Sequence, residues 1–82
     1  MGPKTTADSS LMRISAAARA AGVSAQTIEY YIMLGLVFPI RLSQRQGRFF
    51  DAGLVRRIRL IRRLNHSGYT LRAIRETYLS RR

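Results

Sequence analysis

The side chains able to do chemistry in this sequence are almost all guanidinium groups. Fourteen of its 82 residues are arginine and Lys4 is the only lysine, against four carboxylates: Asp8, Glu29, Asp51 and Glu76. Arginine donates in pairs to phosphate oxygens and to the guanine edge, and its flat cation stacks on bases. A net charge of +11 therefore points to a polyanionic partner, nucleic acid first and an acidic membrane surface second. A GC-rich genome also exchanges lysine for arginine. That accounts for the ratio of the two cations but not for the scarcity of acids.

The same inventory closes other routes. Without cysteine there is no thiolate ligand, thiol nucleophile or disulfide. His66 is the only histidine, so it can anchor neither a metal site nor a catalytic pair, and the acids are too scattered for a carboxylate-dependent nuclease. No glycine-rich phosphate loop is present. Neither an enzymatic activity nor a cofactor or metal is expected. Apolar runs fall far below the ~18 residues that span a bilayer, and nothing resembles a secretory signal. The expected location is the cytoplasm, at the nucleoid, with no membrane partner. Hydrophobic residues make up 46% of the chain, too many for a disordered basic tail, which decides for one small folded domain.

Positioning the cations falls to a series of short elements. Residues 1–11 form an expected flexible tail, since Gly2, Pro3, Thr5, Thr6, Ser9 and Ser10 offer little to bury. The domain occupies 12–82. Ser15 stands where it could cap an alanine-rich helix that runs to Ala21 and closes at Gly22. Ser24 caps a second helix over 25–34, with Val23 and Ile28 as a hydrophobic staple and Gly35 as its stop. Two short helices joined by a three-residue turn containing glycine form a helix-turn-helix corner. Leu36–Ile40, barred from helix by Pro39, and Arg48–Phe50 flank a polar stretch and Gly47, which predicts a two-stranded hairpin with an arginine-rich tip. Asp51 caps a helix from Ala52 to His66, with Gly68 just past its end. Leu54, Ile58, Ile61 and Leu64 share one face of it, and Arg56, Arg59 and Arg63 lie opposite. Plain solvation explains such a cationic face as readily as a partner does. Thr70 caps a last helix whose buried side carries Leu71, Ile74 and Tyr78.

Residues 14–24, Ile-Ser-Ala-Ala-Ala-Arg-Ala-Ala-Gly-Val-Ser, resemble the opening of the MerR family, whose usual form is Ile-x-x-Leu-Ala-x-x-x-Gly-Val-Ser. Residues 27–37, Thr-Ile-Glu-Tyr-Tyr-Ile-Met-Leu-Gly-Leu-Val, are similar to that family's Thr-Leu-Arg-Tyr-Tyr-Glu-x-x-Gly-Leu-Leu. Arg48-Phe49-Phe50-Asp51 matches the end of its first wing, and the stretch from Ile58 through Arg75 matches its third helix, second wing and fourth helix. The resemblance spans about residues 12 to 79. It implies a mainly α, winged helix-turn-helix fold of four helices with a two-stranded β-hairpin wing, in a bacterial DNA-binding protein of transcription regulation. Glu29 departs from the pattern, standing where the family usually has arginine. Ile32 replaces the common glutamate, Ala17 replaces the usual leucine, and Gly47 falls one place late. Within these residues the family's long dimerisation helix and effector domain have no counterpart, so the oligomeric state stays open.

In such a unit the second helix enters the major groove with its N-terminal residues toward base edges. That offers Ser24, Ala25, Gln26, Thr27 and Tyr30. Gln26 can bond an adenine edge in bidentate fashion, and Thr27 can offer its hydroxyl or its methyl. Ser24 serves first as a helix cap, and Tyr30 takes the DNA side while Tyr31 takes the core. Arg41, Arg45 and Arg48 bring the wing to phosphates or the minor groove, and Arg19 and Arg13 approach the backbone from the first helix. Phe49 and Phe50 belong to the core. The expected partner is double-stranded DNA, with RNA polymerase or a recombinase as a protein partner. The reading is a sequence-specific regulator. Its alternatives are an excisionase-like factor that bends DNA, or an adaptor whose basic face meets an acidic protein or RNA.

Overall fold

The computed structural model describes residues 10–79, so most of the expected tail lies outside the described residues. Met12 exchanges two backbone hydrogen bonds of 2.8 Å with Phe50 in an isolated antiparallel bridge. The chain passes from that bridge directly into helix α1, Ile14–Ala21. Arg13, not Ser15, holds the N-cap position, and no side chain caps it. The expected Ser15 cap fails because a tertiary pairing sets where the helix begins, which local capping preferences do not encode. Ser15 is exposed within the first turn.

Gly22 closes α1 in the left-handed conformation, at φ +75°, and its N–H reaches the Ala18 carbonyl at 2.9 Å. Ser24 then caps helix α2, Ala25–Met33, its Oγ accepting from the Thr27 N–H at 3.0 Å. Ala17, Ala18 and Ala21 are buried where α1 packs against both α2 and the third helix. Small side chains allow that close approach.

The hairpin forms later in the chain than its composition predicts. Strand β1 is Ile40–Leu42 and β2 is Arg45–Phe49, paired antiparallel with Ile40 opposite Phe49 and Leu42 opposite Arg45. Leu36 and Val37, expected in the first arm, are fully buried instead. The Leu36 carbonyl accepts from Arg57 Nε at 2.7 Å. Core packing and this bond take that segment out of the ladder, so pairing starts at Ile40 and runs through the stretch that reads as a polar tip.

Asp51 caps helix α3, Ala52–His66, its Oδ1 accepting from the Leu54 N–H at 2.9 Å. Val55, Ile58 and Ile61 face inward and meet Ile28, Leu36, Phe50 and Ile74 in one core. Thr70 caps the short helix α4, Leu71–Ile74, through the Ala73 N–H at 3.0 Å, and the chain continues as a π-helical turn over Arg75–Leu79. Ile74 is buried as expected; the Tyr78 side chain lies outside what is described. Among the described residues, four helices and a two-stranded wing make this a winged helix-turn-helix.

Candidate nucleic-acid interface

Helix α2 buries Ile28 and Tyr31 and leaves Gln26, Glu29, Tyr30 and Met33 exposed. Those four recur at the spacing of one helical face, so α2 presents a continuous stripe to solvent. Met33 is 73% exposed and Tyr30 49%, while Tyr31 is 4%. The adjacent tyrosines thus divide between surface and core. Burial pushes the Tyr31 hydroxyl above its usual range, and the charge of Arg62 works against that rise. At the head of the stripe, Ser24 Oγ and Thr27 Oγ1 lie 2.9 Å apart. Ser24 is committed to capping, and the Thr27 hydroxyl is tied to it.

The wing carries its arginines on an aromatic support. Phe49 is 2% exposed, yet the Arg13 guanidinium lies 4.6 Å and that of Arg45 4.9 Å from its ring centroid. Cation–π attraction restrains both side chains at the wing without neutralising them. Gly47, at φ +103°, makes room for this arrangement: a Cβ there would stand 2.5 Å from Arg13 Nη1. Arg41 is exposed on β1 and Arg19 in the last turn of α1. Arg13 is therefore brought to the wing by the Met12–Phe50 bridge, whereas Arg19 stays with the helix-turn-helix.

Arg48 behaves differently. Its Nη1 and Nη2 donate to the two carboxylate oxygens of Glu29 at 2.8 and 2.6 Å. This end-on bidentate pair joins β2 to the exposed face of α2. Arg48's hydrogen bonds hold the Glu29 carboxyl below the ordinary carboxylate range, and Glu29's hydrogen bond raises the guanidinium in turn. The residue that breaks the sequence pattern thus has a partner nineteen positions away, on the wing.

Three residues to which the sequence assigns no DNA contact line a groove between the head of α2 and the end of α3. Arg62, Asn65 and His66 face Ser24, Thr27 and Tyr30 there. Arg62 lies at the edge between the apolar and cationic faces of α3, where helical periodicity alone assigns no role. Asn65 Nδ2 donates to the Tyr69 carbonyl at 2.8 Å and so shapes the α3–α4 corner. Other cations are structural: Arg57 on the Leu36 carbonyl, and Arg75 Nη1 on the Leu34 carbonyl at 3.1 Å. Arg72 pairs with Glu76 one turn on. Among the described residues the carboxylates are thus all engaged, and no ion pair is formed by Arg13, Arg19, Arg41, Arg45 or Arg62, nor by Arg56, Arg59 and Arg63 on the outer face of α3.

The arrangement offers hydrogen-bonding and apolar groups on one helix face, restrained cations on a hairpin beside it, and a cationic groove at its head. A family model, that of the MerR HTH family regulatory proteins, matches residues 12–80. The heavy metal-dependent transcription regulator 2 of Rhizobium meliloti (strain 1021) is 31% identical over 65 residues, covering 79% of this chain and 44% of that protein. The matched stretch spans less than half the length of that relative.

Proposed function

The chain belongs to the MerR family of helix-turn-helix regulatory proteins, and from that premise we infer that it binds double-stranded DNA sequence-specifically to regulate transcription. Helix α2 lies in the major groove. Gln26 reads a base edge there, and Thr27 and Tyr30 contact bases or the adjoining phosphates. Arg13, Arg41 and Arg45 hold the wing on the backbone, and Arg19 and Arg62 grip phosphates beside the head of α2. Ser24 contributes by capping the helix.

The observation that carries this reading is the Glu29–Arg48 contact. It shows the wing lying within hydrogen-bond reach of the exposed stripe of α2, so one surface offers both base-reading groups and cations. Selection from a random duplex library at physiological salt tests it. An enriched motif is expected. Inverted half-sites accompany a dimeric regulator, whereas tandem direct sites move the reading to a recombination factor. Absence of any enriched motif contradicts sequence-specific recognition. The heavy-metal dependence in the relative's name is not carried over: these residues hold no cysteine and one histidine, which leaves no thiolate site to draw from them.

A further inference from the structure

We propose that Glu29 is a positioning residue: by clamping Arg48 it makes the recognition helix and the wing a single rigid DNA-docking unit. Arg48 then acts inside the protein and is not one of the phosphate contacts.

Three observations converge. The contact is bidentate, with two bonds of 2.8 and 2.6 Å between the terminal nitrogens and both carboxylate oxygens. Two parallel bonds fix orientation as well as distance, which a single ion-pair contact does not. The pair also spans nineteen residues and joins the exposed side of β2 to the exposed face of α2, outside the core contacts of Leu36, Val37, Phe49 and Phe50 that hold the base of the wing. The segment between the two elements, Leu34 to Pro39, is anchored to α3 and the chain beyond α4 through its carbonyls, and Glu29–Arg48 adds a direct tie between α2 and β2 themselves. Finally, Glu29 is the one carboxylate on the exposed stripe of α2. Left unpaired it would repel phosphates. Paired, it cancels Arg48 and adds no net charge to the surface.

The clamp leaves Arg48 with Nε–H and one proton on each terminal nitrogen. Those donors point away from the bonded carboxylate edge, and the cation is largely neutralised. The opposite account is that Glu29 withholds a phosphate-binding arginine until DNA displaces it. The two differ in the sign of one experiment. Under the clamp, Glu29→Ala weakens DNA binding even though it removes a negative charge from the docking face. Under withholding, the same change strengthens binding.

The DNA half of this proposal rests on the regulator reading, but the clamp itself can be tested without DNA. In the free 82-residue protein, residual dipolar couplings of β1–β2 and α2 should fit one alignment tensor. In Glu29→Ala the wing couplings should depart from that tensor while α1, α2 and α3 remain together. The exchange Glu29→Arg with Arg48→Glu should bring them back. On the duplex enriched by selection, Glu29→Ala and Arg48→Ala should each lose about two- to fivefold in affinity, the size an exposed ion pair supports. The double variant should lose no more than either single one. Wing couplings unchanged in Glu29→Ala overturn the clamp, and so does tighter binding by that variant. If selection enriches no duplex, the regulator reading fails while the couplings still decide the clamp.

Discussion

At the scale of single residues, this surface works by separating neighbours that composition treats alike. Tyr30 and Tyr31 are adjacent, yet one is half exposed and the other buried, because 100° of helical rotation carries one across the boundary of the core. The arginines divide in the same way. Arg57 and Arg75 close backbone carbonyls, Arg48 is held by Glu29, and Arg13 and Arg45 rest on Phe49 with their charge available. Net charge alone cannot say which cations a polyanion meets. Gln26 is the sharpest case for base reading, being exposed at the head of the stripe. Gln26→Ala should therefore change the motif recovered by selection and cost about 1–3 kcal/mol on the wild-type site. Binding to random duplex should stay near its original strength. An unchanged motif would remove Gln26 from the base-reading group.

At the scale of elements, what was legible in the sequence is what is encoded locally. Ser24, Asp51 and Thr70 each make the cap bond that their position predicts, and α3 runs over the residues its periodicity marks. What was not legible depends on contacts far along the chain. The start of α1 is set by the Met12–Phe50 bridge. The hairpin begins late because Leu36 is buried and its carbonyl is taken by Arg57. The Glu29–Arg48 pair joins two segments whose nearness no local pattern reports. The wing itself depends on Gly47, both for its φ of +103° and for the room it leaves Arg13. Gly47→Ala should destabilise the protein by about 1–2 kcal/mol, the cost of a left-handed conformation for a residue with a Cβ. For a domain of this size that lowers Tm by roughly 5–15 °C. Affinity for DNA should fall as well, since Arg13 must leave Phe49. An unshifted melting curve would show that the wing adopts another conformation without strain.

At the scale of the whole molecule, the basic charge is spread over two surfaces. One combines the α2 stripe, the wing and the groove at the head of α2. The other is the outer face of α3, where Arg56, Arg59 and Arg63 surround the partly exposed Leu60. With about five to eight phosphates engaged by the first surface, the logarithm of affinity should fall against the logarithm of salt with a slope of about −4 to −7. A slope near zero would rule out DNA as the partner. Slope measures how many charges are engaged, however, and not which surface carries them. The measurement that reaches the central claim is amide hydrogen exchange with and without the enriched duplex. Protection should appear over residues 24–33 and 40–49, with the outer face of α3 unchanged. Protection confined to α3, with α2 and the wing exchanging as in the free protein, would contradict it.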